Sequence, residues 1–172
     1  ILALATGAGK TITSIYGAIK LYQQANALFL VVAVPYQDLA DQWLDVLSKF
    51  GIRAIPCYKN KDLWKEKLQS SVDRYNSDVD DFVSAVVVNK SLNSDIFQLI
   101  IRQISDGKPF LFIGDECHHH SSEGLSQSLP KNAKYRIGLS ATPEHYLDEE
   151  KNMLLSNYYG QIVANYTLID AI

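Results

Sequence analysis

The segment Ala5-Thr6-Gly7-Ala8-Gly9-Lys10-Thr11 sets small residues, a lysine and a hydroxyl side by side, the combination that phosphate chemistry needs. Small residues let backbone N–H groups approach phosphate oxygens, and a helix starting there adds its positive end. The lysine ammonium can reach the outer phosphates, and the threonine hydroxyl can ligate Mg²⁺. Thr6, Gly7, Ala8, Gly9, Lys10 and Thr11 are therefore the candidate ATP-binding residues. The general pattern opens with a glycine where this chain carries Leu4. A second stretch, Phe110-Leu111-Phe112-Ile113-Gly114-Asp115-Glu116-Cys117-His118, is an apolar run ending in adjacent carboxylates. Asp115 at a strand end can hold Mg²⁺ through water, and Glu116 can orient and deprotonate an attacking water. Lys10, Asp115 and Glu116 are the candidate catalytic residues, with Thr11 and Asp115 on the metal.

Such residues must be brought together by elements far apart in sequence. Apolar runs of strand length alternate with segments of helical period, a pattern that predicts a parallel sheet covered by helices on both faces. Ile1 to Ala5 reads as a first strand. Ile12, Ile15, Tyr16, Ile19 and Tyr22 then recur at helical spacing up to Asn26. Ala27 to Val34 is apolar throughout, as a doubly covered strand should be, and Pro35 ends it. Leu39, Trp43, Val46, Leu47 and Phe50 form one face of a second helix stopped by Gly51. Ile52 to Tyr58 is a third strand, and Lys61 to about Tyr75 a charged helix with Trp64, Leu68 and Val72 inward. Asp73 to Asp81 reads as an acidic loop, placed away from the site. Ala85 to Val88, Phe110 to Ile113, Tyr135 to Leu139 and a short run from Gly160 to Tyr166 read as further strands. Ile96, Leu99, Ile100 and Ile104 mark one more helix, and Asp148 to Asn157 another.

At this point the motifs resemble a known family. Ala5 to Thr11 is similar to motif I of superfamily-two helicases, Asp115-Glu116-Cys117-His118 to their DExH motif II, and Gly138-Leu139-Ser140-Ala141-Thr142-Pro143 to their Ser-Ala-Thr motif III, in the family's order. Val34-Pro35-Tyr36 through Gln42-Trp43 resembles motif Ia, and Asn89-Lys90-Ser91-Leu92 the segment after the fourth strand. Relatives often carry threonine where Tyr36 and Asn89 stand. The tail from Gly160 to Ile172 resembles the end of the first motor domain in restriction-enzyme-type helicases, although Glu144-His145 stands where those relatives often have arginine. The resemblance implies an α/β fold of the P-loop NTPase class, a RecA-like three-layer αβα sandwich with a mainly parallel sheet over residues 1–172. It implies ATP and Mg²⁺ as cofactors, and His118, Ser140 and Thr142 as residues coupling nucleotide state to nucleic-acid binding. Pro35, Tyr36 and Asn89 are its candidates for the nucleic-acid side. DNA is the expected partner, with RNA the alternative. A second RecA-like domain of the same parent chain, which brings the arginine fingers, is also implied, so residues 1–172 alone are expected to be nearly inactive.

The bulk properties set limits around this reading. At 172 residues, 47% hydrophobic and 20% charged, the chain should fold as one ordinary domain. Its longest apolar run, Ala27 to Val34, is far below the roughly 18 residues of a membrane span. No export signal opens the sequence, so a cytoplasmic location is expected. A net charge of −3 argues against coating nucleic acid by charge alone. Cys57 and Cys117 read as reduced thiols. His118, His119 and His120 with Glu123 carry metal-binding residue types, but the two histidines after His118 read better as loop residues. Lys59, Lys61, Lys65 and Lys67 read as a solvated helix face, and Trp43 and Trp64 as core. Two other classes share some of these features: a P-loop phosphotransferase acting on a small molecule, and a nucleotide-binding scaffold that never hydrolyses ATP. Motif III speaks against the first and Glu116 against the second.

Overall fold

Leu28–Val34 (β2) shows why the chain builds three layers, because every one of its residues is buried. Phe29, Val31 and Ala33 face one apolar cluster, and Leu28, Leu30, Val32 and Val34 face the other. A strand alternates its side chains between two faces, so an uninterrupted apolar strand must be covered on both. The computed structural model describes residues 1–5, 7–142 and 148–166. Among them, seven parallel strands form one sheet in the order β3-β4-β2-β5-β6-β1-β7. These are Leu2–Leu4 (β1), β2, Ile55–Cys57 (β3), Phe82–Val88 (β4), Phe110–Asp115 (β5), Tyr135–Ser140 (β6) and Ala164–Tyr166 (β7).

Lys10–Ala25 (α1) and Gln37–Lys49 (α2) cover one face with Ile15, Ala18, Ala40, Trp43 and Leu47. The other face is covered by Lys61–Asn76 (α3), Asp95–Ile101 (α5) and Glu149–Tyr159 (α7), through Trp64, Leu68, Phe97, Leu155 and Tyr159. The short helices Asn89–Leu92 (α4) and Glu123–Gln127 (α6), with a 3₁₀ turn at Cys117–Ser121, sit in the connections. Burying an apolar side chain of this size contributes about 1.5–3 kcal/mol, so the two clusters dominate the fold's stability. No helix among the described residues is long and apolar enough to cross a membrane.

Several expected boundaries move: the third strand shortens from residues 52–58 to Ile55–Cys57, the helix marked out to Ile104 ends at Ile101, and the helix expected over Asp148 to Asn157 spans Glu149–Tyr159. The helix read to Tyr75 continues to Asn76, so the acidic loop is shorter. Its carboxylates are engaged at the amino end of the sheet: Asp78 with Lys108, Asp80 with Arg74 and Asp81 with Tyr22. Strand β4 begins at Phe82 rather than Ala85, because Phe82 and Val83 pair with Leu28 and Phe29. Residues Gly160 to Val163 of the expected last strand lie before β7.

A notch in the sheet seats α7. Gly114 and Gly138 are register partners on β5 and β6, and the Tyr159 and His120 rings lie over them. A Cβ at Gly114 would meet Tyr159 Oη and sit 2.7 Å from His120 Cε1; one at Gly138 would lie 3.0 Å from Cys117 Sγ and from the Tyr159 ring. Gly114→Ala is therefore expected to destabilise the chain by about 1–3 kcal/mol, the usual range for overpacking. Equilibrium urea unfolding measures it directly, and unchanged stability would mean that the notch closes elsewhere at no cost.

Candidate nucleotide-binding site

The strand order puts the chemistry at one end of the sheet. Strand β6 lies between β5 and β1, with Leu139 opposite both Asp115 and Leu2, and Ser140 opposite Ala3. The carboxyl ends of these parallel strands thus bring the loop after β1, the Asp115-Glu116 pair and Ser140 to adjoining positions, the place where open α/β sheets bind ligands.

The loop after β1 turns through an Ala8 N–H to Ala5 carbonyl bond of 3.1 Å. Gly7 and Gly9 adopt φ of 84° and 81°, left-handed conformations that a Cβ would strain. Nothing lies within 4 Å of where a Cβ would stand at either glycine, so a phosphate can approach that backbone unobstructed. Helix α1 starts at Lys10 with no side-chain cap and no acidic residue in its first turn. By contrast, Asn60 caps α3 and Asp148 caps α7. The orphan N–H groups of α1 are therefore open to an anion, which the helix dipole also favours. Lys10 Nζ donates to the carbonyls of Leu4 at 2.7 Å and Ala5 at 3.3 Å, which holds the ammonium over the loop. Thr11 is half-buried beside it. Thr6 lies outside the described residues, as do Pro143, Glu144, His145 and the tail from Thr167 onward.

Asp115 is only 5% exposed, and both of its oxygens are engaged. Oδ1 accepts the Glu116 N–H at 3.0 Å, and Oδ2 accepts the indole N–H of Trp43 at 2.7 Å. Lone pairs remain on each oxygen for a further ligand. Glu116 sits in a left-handed backbone conformation, φ 48° and ψ 50°, which is uncommon for a residue with a Cβ and typical of functional turns. Burial and then the neighbouring Asp115 charge push its carboxyl above the usual glutamate range, opposed by Lys10 and His119. A carboxyl raised in this way is a stronger base when ionised. Thr11 and Asp115 offer a hydroxyl and a carboxylate, an all-oxygen set suited to a hard cation such as Mg²⁺.

His118 Nδ1 lies 3.1 Å from Ser140 Oγ and 3.4 Å from Glu116 Oε2. Ser140 is fully buried, and its Oγ also accepts the N–H of Thr142 at 3.1 Å. A single imidazole therefore touches both the candidate base and the end of β6, which connects β5 chemistry to the Ser-Ala-Thr segment.

The other sequence candidates are distributed more widely. Pro35 is half-buried at the end of β2, and Tyr36, at the N-cap position of α2, is 58% exposed. Asn89 is 8% exposed and turned inward, with its Oδ1 3.1 Å from His120 Nε2. His120 Nδ1 lies 2.5 Å from Tyr159 Oη. His120 is thus a buried core residue rather than a loop side chain, held by a hydroxyl donor on one side and an amide acceptor on the other. His119 is exposed. Among the described residues, no group of three or more His, Cys, Asp and Glu side chains could hold a metal ion. Lys59, Lys61, Lys65 and Lys67 are exposed, and Lys59 pairs with Asp41 at 2.9 Å. Cys57 and Cys117 are free and buried, and burial pushes the Cys117 thiol up to about 12.

Desolvation pulls the His120 imidazole down to about 3, with His119 and His118 adding to the effect. The unfolded chain takes up this proton below about pH 6.5, whereas the folded chain does not until near pH 3. The stability His120 contributes is therefore complete above pH 6.5 and lost as the pH falls through that window, by up to about 1.4 kcal/mol per pH unit. His120→Asn is expected to be less stable than the unsubstituted chain at pH 7.5 and to show a flatter decline between pH 6.5 and 4.5. Urea midpoints across that range would reveal parallel curves if the imidazole were not the titrating group.

The sheet order, the glycine loop and the paired carboxylates at the strand ends define the class: an α/β domain of the RecA-like P-loop type. Residues 1–145 match the family described as type III restriction enzyme, res subunit. The chain belongs to that family. Comparison with curated protein sequences gives no match. Solved structures share the fold. The Pyrococcus furiosus Hef helicase domain is similar at a TM-score of 0.65 and 20% identity over 96% of this chain and 34% of that one. A nuclease-deletion mutant of the type ISP restriction-modification enzyme LlaGI, solved with a DNA substrate mimic, gives 0.70 and 19% over 99% of this chain and 18% of that one. The Sulfolobus solfataricus SWI2/SNF2 ATPase core, solved with dsDNA, gives 0.65 and 17% over 93% and 32%. The chain thus spans about a third or less of the length of these proteins.

Proposed function

We propose that this chain is the ATP-binding half of a motor that hydrolyses ATP to move along or unwind nucleic acid, with DNA as its track. The observation that carries this reading is the His118 imidazole, 3.1 Å from Ser140 Oγ and 3.4 Å from Glu116 Oε2, at the strand ends beside the phosphate loop. That contact joins the candidate base to the Ser-Ala-Thr segment, the connection through which a motor would pass nucleotide state beyond the ATP site. Two of the structural neighbours were solved with DNA or a DNA mimic, which supports DNA over RNA.

In this reading the N–H groups from Thr6 to Thr11 and the Lys10 ammonium bind the β and γ phosphates. Thr11 and Asp115 would hold Mg²⁺, which when bound supplies charge neutralisation on the phosphate oxygens. Glu116 orients a water in line with the γ-phosphate and takes its proton. His118 transmits the state of that carboxylate to Ser140 and Thr142. Tyr36, exposed at the start of α2, stacks on or brackets the nucleic acid with Pro35, while Asn89 supports that side from within through His120. A second RecA-like domain of the same parent protein completes the ATP site, so the 172-residue chain alone turns over ATP poorly. A cytoplasmic setting, in which Cys57 and Cys117 stay reduced, belongs to the same reading.

The test is ATP hydrolysis by the intact protein that carries this chain, with no nucleic acid, single-stranded DNA, double-stranded DNA or RNA. Strong stimulation by one of these, with phosphate released free, supports the motor and identifies its track. Turnover indifferent to all of them, or γ-phosphate appearing on a metabolite, overturns it.

A further inference from the structure

The indole of Trp43 falls on the apolar face of α2 and is 1% exposed within the cluster formed by Val32, Val34, Ile113 and Leu139. Packing alone would explain a large ring there. It does not explain the direction of the ring's one polar atom, which donates at 2.7 Å to Oδ2 of Asp115. A buried indole N–H requires an acceptor, and a buried carboxylate requires donors. Here each satisfies the other, and the acceptor is the carboxylate that ends β5 beside the phosphate loop. Helix α2 is itself fixed from the far side. Tyr58 Oη donates at 2.6 Å to Asp41 Oδ1, two residues before Trp43, so the indole is presented by a pinned helix. The Glu116 N–H fixes the other oxygen of Asp115, and the two donors together define the rotation of the carboxylate plane.

We propose that Trp43 is a positioning residue for the metal site: its N–H sets the orientation in which Asp115 meets a nucleotide-bound divalent cation. This rests on the reading of Asp115 given above. The consequence is specific. Losing the donor leaves the phosphate loop and its affinity for nucleotide untouched, but lets the carboxylate rotate away from the orientation the cation needs. Partners that orient a metal ligand in this way typically account for about 10–100-fold in metal affinity.

The experiment uses the intact protein and a fluorescent ADP analogue, titrated with Mn²⁺ and, separately, in chelator without metal. Trp43→Phe keeps an aromatic ring and removes the N–H. Leu47→Ala, on the same helix and fully buried in the same cluster, loosens packing without touching Asp115. In Trp43→Phe the Mn²⁺ concentration giving half of the metal-dependent binding is expected to rise about tenfold. Metal-free affinity should stay within about twofold, and Leu47→Ala should leave the metal dependence unchanged. Benzothienylalanine at position 43 replaces the N–H with sulfur at nearly constant shape, and gives the same readout should Trp43→Phe fail to fold. An unshifted metal dependence in a folded position-43 variant, or an equal shift in Leu47→Ala, overturns the proposal while leaving the nucleotide site standing. Absence of metal-dependent binding in the unsubstituted protein overturns both.

Discussion

Glu116→Gln binds ATP as tightly as the unsubstituted protein and hydrolyses it about 10²–10⁴-fold more slowly, the usual contribution of a positioned general base. The amide keeps the size and hydrogen-bonding capacity of the side chain and loses only the ability to take a proton. Asp115, Lys10 and the loop are unaltered, so binding should persist. The pH dependence adds a second signature. Burial and the Asp115 charge raise the Glu116 carboxyl above the ordinary glutamate range, and a base acts only when ionised. Turnover should therefore fall as the pH drops through a value above the ordinary 4.5. The small residual rate of Glu116→Gln should lack that limb. Steady-state hydrolysis by the intact protein, paired with equilibrium nucleotide binding, checks both. Unchanged turnover, or turnover and binding lost together, would remove Glu116 from the role of base.

Lys10→Ala should fail earlier in the cycle. The ammonium, held at 2.7 Å from the Leu4 carbonyl, stands over a loop whose glycines leave open space above them. A phosphate arriving there gives the ammonium an anionic partner in place of neutral carbonyl oxygens, and charge meeting charge is the stronger interaction. Removing the lysine is expected to cost about 2.7–4 kcal/mol of phosphate stabilisation in the transition state, or about 10²–10³-fold in kcat/KM. Affinity for ATP should fall more than affinity for AMP, because Lys10 addresses the outer phosphates. Calorimetric titration with the two nucleotides separates the cases. Equal losses for both would place Lys10 away from the outer phosphates.

The contrast between these two residues and Trp43 shows what could be read before the fold was seen. Lys10 and Glu116 sit in contiguous segments where chemistry depends on neighbours in sequence, so residue type and order were enough to single them out. The alternation of fully apolar strands with amphipathic helices likewise carried the three-layer architecture, since β2 can be buried on both faces in few other ways. Trp43 occupies an apolar helical position, and periodicity reports only that its ring is inside. That its N–H meets Asp115 depends on how α2 lies across β5, which no spacing encodes. His120 was hidden for a related reason. Three consecutive histidines follow Cys117, and only the glycine notch at Gly114 and Gly138 decides which of them turns inward, toward Tyr159 and Asn89. A glycine in each of two apolar strands was the available signal, because a missing side chain on a packed face marks something lying close above it. Asn89 is a candidate for the nucleic-acid side by resemblance, and nothing in its segment announces an inward partner. Its partner is thirty-one residues away, and the pairing exists only because β4 and the turn after β5 end at the same side of the sheet. The short helix α6 left no mark, since five residues are too few to establish a period.

Coupling of hydrolysis to movement is the central claim, and displacement measures it most directly. The intact protein is placed on duplex DNA bearing a third-strand oligonucleotide and, separately, on a forked duplex, with ATP or with a non-hydrolysable analogue. Release of either strand with ATP alone, abolished in Lys10→Ala and Glu116→Gln, is the result predicted. Vigorous ATP hydrolysis that displaces neither strand would contradict a motor built around this domain.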